Sequence, residues 1–128
     1  MKKLMILLLA VMMLTACGQD TEKDQGAVYV NITAEEAKQI MDSEEGYVIL
    51  DVRTQEEYDQ GHIPNAVLLP LDDIKAKAHV VLPDKDQQIL VYCRSGRRSK
   101  LASEALAELG YTNIKEFGGI LDWPYGVE

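Results

Sequence analysis

Beyond residue 27 the chain alternates short apolar runs with stretches of helical periodicity. "VYVNI" (28–32) reads as an edge strand. In "TAEEAKQIMDSEEG" (33–46), Thr33 and Glu36 make a capping box, and Ala37, Ile40 and Met41 recur at helical spacing. "YVILD" (47–51) is a buried strand ending in an acid, and "TQEEYDQG" (54–61) is a short helix closed by Gly61. "AVLLP" (66–70) predicts another strand, and "LDDIKAKA" (71–78) a short amphipathic turn. "QILVY" (88–92) is strongly apolar and predicts a central strand. "SKLASEALAELG" (99–110) predicts a helix with Leu101, Ala105 and Leu109 along one face, stopped by Gly110. "IKEF" (114–117) is the last strand. Strands alternating with helices predict an α/β fold, a mainly parallel sheet flanked by helices on both faces.

Residues 1–27 do not share this pattern. Lys2 and Lys3 precede an unbroken apolar run from Leu4 to Leu14, too short for a stable bilayer span but suited to a secretory signal. The run ends in "LTAC" (14–17), which resembles the lipobox of bacterial lipoproteins. That resemblance implies cleavage after Ala16 and a diacylglyceryl group on Cys17. The expected organisation is a signal peptide (1–16), a lipidated cysteine with a flexible polar tether (17–27), and one domain (28–128). The domain is then expected outside the cytoplasm, anchored to the bacterial cell membrane by Cys17.

Length and charge narrow the function classes. The 128 residues allow one core, not two. Removing Lys2 and Lys3 lowers Lys+Arg from 13 to 11 against 21 Asp+Glu, so the formal charge falls from −8 to −10. So acidic a chain is a poor partner for nucleic acid. With Cys17 in a thioether, Cys93 is the only free thiol, which rules out dithiol redox chemistry and a four-cysteine zinc site.

Against this acidic background "CRSGRRSK" (93–100) is conspicuous. Cys93 follows the central strand, Ser99 opens a helix, and Arg94, Ser95, Gly96, Arg97 and Arg98 form the connection. In open α/β sheets that edge is where ligands bind. Successive backbone N–H groups in such a turn face one concavity, and the helix N-terminus adds partial positive charge. Gly96 lets the loop adopt conformations that larger residues resist. Arg94, Arg97, Arg98 and Lys100 add full charges. This setting favours thiolate over thiol and attracts an anionic substrate, the combination a sulfur nucleophile needs.

"CRSGRRS" resembles the active-site loop of rhodaneses, the single-domain thiosulfate sulfurtransferases, with the pattern C-x-x-G-x-R-S/T. "DVRTQEEYDQGHIPNAVLLP" (51–70) and "FGGILDW" (117–123) resemble that family's other two signatures. Asn65 departs from the glycine common before the alanine. The resemblance implies a ping-pong reaction through a Cys93 persulfide, with a small anionic sulfur donor and a thiol, cyanide or protein acceptor. It implies that the residues from Arg94 to Ser99 bind substrate, and that no cofactor or metal is needed. Two alternatives stay open. Related cysteine phosphatases and arsenate reductases carry C-x5-R, whereas Cys93 to Arg98 is C-x4-R, a loop sized for one sulfur atom. A non-catalytic extracytoplasmic module that binds or senses redox state is the other.

Asp51 and Arg53 end a strand on the same edge and are expected to support the site, Asp51 by ordering loop amides and Arg53 by pairing with an acid such as Glu57. His62 in "GHIP" is expected to anchor a turn, His79 to have no ligand role, and Trp123 and Tyr125 to plug the core.

Overall fold

The computed structural model describes residues 28–128; the expected signal peptide, the expected lipidation at Cys17 and the expected tether lie outside the described residues. β4 (Gln88–Cys93) is the centre of the sheet, buried along nearly all its length. β2 (Tyr47–Asp51) and β5 (Ile114–Gly119) flank it, and the two-residue strands β3 (Val67–Leu68) and β1 (Val30–Asn31) close the edges. The strand order is β1-β5-β4-β2-β3 and every pairing is parallel. Parallel neighbours require crossovers, which the helices supply: α1 (Ala34–Ser43), α2 (Gln55–Asp59), α3 (Ile74–Val81) and α4 (Arg97–Glu108).

Side chains alternate along β4, so one strand feeds two cores. Ile89, Val91 and Cys93 point to the side of α3 and α4, where they meet Leu50, Ile74, Ala78, Leu82, Ala102 and Leu106. Leu90 and Tyr92 point to the other side, with Ala37, Ile49, Ile63, Phe117 and Trp123. Burial of each such aliphatic side chain stabilises the fold by roughly 1.5–3 kcal/mol. The same alternation puts Cys93 on the face of the helix that follows it.

The Thr33–Glu36 capping box is present, and Thr54 with Glu57 builds a second at the start of α2. Four expectations need correction. The amphipathic turn after β3 is a 3₁₀ turn (Leu71–Asp73) running into the eight-residue α3. The helix expected from Ser99 begins at Arg97, so the two arginines belong to its first turn. Its inner face is centred beside the expected row: Ala105 and Leu109 pack against the core but Leu101 is 40% exposed, while Ser99, Ala102, Ser103 and Leu106 are buried. Small residues let α4 lie close on the sheet, and closeness outweighs the apolarity of Leu101. Tyr125 is also 42% exposed and meets Trp123 only edge-on, so Trp123 alone fills that end of the core.

Candidate active site

Cys93 ends β4 and is 1% exposed. Three residues later Gly96 takes φ +108°, and its N–H donates to Cys93 Sγ at 3.0 Å. That backbone angle is in the region where a Cβ is strained, so glycine is the residue that turns this amide onto the sulfur. The twelve-residue α4 starts at the next position, directing its N-terminal amides and partial positive charge toward the same spot.

β5 holds the loop from beneath. Cys93 is in register with Gly119 across an irregularity in the β4–β5 ladder. A Cβ on Gly119 would stand 2.1 Å from the Arg94 carbonyl oxygen and 2.6 Å from Ser95 Cα. The loop therefore rests directly on the Gly119 backbone, and the Leu121 N–H ties it down by donating to the Arg94 carbonyl at 3.2 Å.

The cations divide into two groups. Arg94, Arg97 and Lys100 are exposed around the mouth, and Arg94 and Arg97 make no ion pair among the described residues. Arg98 is half-buried and forks onto Glu57, with Nη1 and Nη2 donating at 2.7 and 2.8 Å. This hydrogen-bonded guanidinium is the main reason the Glu57 carboxyl falls to about 2. The pair fastens α4 to α2, so Glu57 partners Arg98 and not Arg53.

Arg53 instead doubles back on Asp51. Its Nε and Nη2 donate to that carboxylate at 2.9 and 2.7 Å, its backbone N–H adds a bond of 3.0 Å, and Nη2 also reaches the Gly61 carbonyl. Tyr92 donates its hydroxyl to Asp51 at 2.5 Å and accepts from the Ile63 N–H. Burial first, then the bond to Asp51, raises the Tyr92 hydroxyl far above the ordinary tyrosine value. Asp51 and Tyr92 lie on the sheet face opposite Cys93, so this unit braces the β2 and α2 loops from behind. Arg53 and Arg98 do meet at one cleft of about 80 Å³, bordered also by Thr54, Pro70 and Leu71.

Ser99 is at the sulfur, with its Oγ 3.5 Å from Cys93 Sγ and 2.9 Å from the Gly96 carbonyl. The same hydroxyl meets the Glu116 carboxylate, which also accepts the Gly118 N–H at 3.0 Å and stands 3.8 Å from Lys100 Nζ. Glu116 is 2% exposed and was absent from the expected site. Its signal was an acid inside an otherwise buried parallel strand, a position where carboxylates are rare without a partner. His62 anchors its turn: Nδ1 lies 3.0 Å from the Tyr58 carbonyl, and its backbone exchanges two hydrogen bonds with Glu128.

A family profile described as Rhodanese-like domain matches residues 33–124. The chain is 41% identical over 73 residues to a thiosulfate sulfurtransferase of Escherichia coli, a stretch covering 57% of this chain and 70% of that one. It is 36% identical over 93 residues to a sulfurtransferase of Allochromatium vinosum, covering 72% and 85% respectively. The crystal structure of a rhodanese-related protein from Thermoplasma volcanium superposes with a TM-score of 0.68 at 31% identity, covering 78% of this chain and 98% of the other.

Proposed function

The chain belongs to the rhodanese-like domain family, and from that premise we propose that it moves a sulfane sulfur from thiosulfate or a similar anionic donor to a thiophilic acceptor. The observation that carries this reading is the Gly96 N–H, 3.0 Å from a Cys93 sulfur seated at the N-terminus of α4. A group so placed stabilises negative charge on sulfur, whether on Cys93 itself or on a second sulfur bonded to it.

In the first half-reaction Cys93 sulfur attacks the outer sulfur of the donor. The donor's S–S bond breaks, sulfite departs with the electron pair, and a persulfide is left on Cys93. In the second, an acceptor thiolate or cyanide attacks the outer sulfur of the persulfide and releases Cys93. Arg94 and Arg97 serve the oxyanion, since among the described residues no acid pairs with their guanidinium groups, while Arg98 holds the loop in place through Glu57. Ser95 lies exposed on the same loop and contributes through its backbone. We also assign the N-terminal segment as a lipoprotein signal, which would anchor the domain outside the cytoplasm through Cys17.

The test is the mass of the purified protein after incubation with thiosulfate. A gain of one sulfur atom is expected, removed by cyanide and missing in Cys93→Ser. No gain in the wild type would end the sulfurtransferase reading, and a phosphoenzyme formed from an aryl phosphate would replace it.

A further inference from the structure

Glu116 is a buried acid that the reaction as written leaves unused. Its surroundings define the direction of every proton near Cys93. A serine hydroxyl has one proton and two lone pairs. Ser99 Oγ can direct its proton to the Glu116 carboxylate, to the Gly96 carbonyl at 2.9 Å or to the Gly118 carbonyl at 3.4 Å, and the carboxylate is the strongest acceptor of the three. Ser99 then presents only lone pairs to Cys93 Sγ at 3.5 Å, so the contact is one in which the thiol donates. The three groups form a directed chain from Cys93 through Ser99 to Glu116.

We propose that Glu116 is a positioning residue for the sulfur chemistry: acting through Ser99, its carboxylate takes up the Cys93 proton and keeps it while Cys93 carries the transferred sulfur. The inference rests on Cys93 being the nucleophile, as read above. In the step, Cys93 passes its proton to Ser99 Oγ as Ser99 passes its own to Glu116. The products are a thiolate, an unchanged hydroxyl and a neutral carboxylic acid, and no charge enters or leaves. Negative charge moves from Glu116 to a sulfur facing the Gly96 N–H and the start of α4. The sulfur bond then forms and sulfite leaves. With the acid neutral, the chain reverses and Ser99 can donate to the inner sulfur of the persulfide. Release of Cys93 returns the proton along the same path.

The path between the two groups is enclosed: Cys93 is 1% and Glu116 2% exposed, and the Ser99 hydroxyl bridges them. Lys100 faces the carboxylate, but its side chain is 53% exposed and its charge is weakened by solvent. Arg98 feels Cys93 yet is already paired with Glu57. On the β1 side Tyr29 lies near both Glu116 and Glu104, and burial holds it above its ordinary value, so it keeps its proton across neutral pH. Arg94 and Arg97 lie exposed at the positions flanking this turn.

The measurement is the rate at which iodoacetamide alkylates Cys93 in the full chain, followed by peptide mass spectrometry as a function of pH. Proton transfer to an internal acceptor has a share that does not depend on bulk pH, so the wild-type rate is expected to stay level across neutral pH. In Glu116→Gln and in Ser99→Ala the proton must go to solvent, and the rate is expected to climb about tenfold per pH unit. A wild-type rate that itself climbs tenfold per unit overturns the proposal without reference to any variant. So do parallel profiles in wild type and Glu116→Gln. Sulfur loading is scored separately: loading with parallel profiles removes the relay and spares the enzyme, whereas a level wild-type profile without loading does the reverse.

Discussion

Replacing Gly119 with alanine tests whether the loop that follows Cys93 is set by its contact with β5. Gly119 has φ −128°, an ordinary extended angle, so alanine meets no backbone strain of its own there. The obstacle is space. The added Cβ would lie 2.1 Å from the Arg94 oxygen, 2.5 Å from its carbonyl carbon and 2.6 Å from Ser95 Cα. All three are backbone atoms, so no side chain can swing aside, and the loop must retreat by more than about 1 Å, since ordinary contact begins at 3.4 Å. Overpacking of this kind costs about 1–3 kcal/mol. Because Arg94 and Ser95 join Cys93 to Gly96, the same retreat draws the Gly96 N–H from the sulfur, and a misplacement of about 1 Å lowers turnover by roughly 10²-fold. Steady-state sulfur transfer from thiosulfate to cyanide, read with a thermal melt of the same sample, measures both effects. A variant that melts and turns over like wild type would show that the loop is not held by β5, and the packing argument would be wrong.

Three further outcomes are expected. The Glu57 carboxyl is depressed from 4.5 to about 2, so its contribution is complete above pH 4.5 and disappears as pH falls toward about 2. Acid unfolding should therefore lose this component in Glu57→Gln, and identical acid titrations of the two proteins would contradict the ion pair. Arg94→Gln and Arg97→Gln should raise KM for thiosulfate with little change in melting temperature, whereas Arg98→Gln should lower the melting temperature by freeing Glu57; a pure KM effect in Arg98→Gln would return that arginine to the substrate. Metabolic labelling with palmitate should mark the wild-type chain and not Cys17→Ala, and a labelled Cys17→Ala would refute the lipid anchor.

Much of this architecture is written locally. Alternating periodicities distinguish strands from helices, the Thr33–Glu36 box starts α1, and an apolar run ending in Cys93 places that cysteine at the C-terminal end of β4, because caps and periods involve residues a few positions apart. The cysteine, the glycine after it and the charged first turn of α4 were legible for the same reason. What only the folded chain decided is who meets whom across long separations. Arg98 finds Glu57 forty-one residues away, Glu116 reaches Ser99 across seventeen, and Gly119 supports Arg94 from a neighbouring strand. Arg53 and Arg98 look alike as letters near an acid. The register of β2 against β4, and the alternation that turns Asp51 and Tyr92 away from Cys93, assign one to a brace and the other to the loop. Pairing of this kind is set by packing of the whole sheet, which no short window of residues contains.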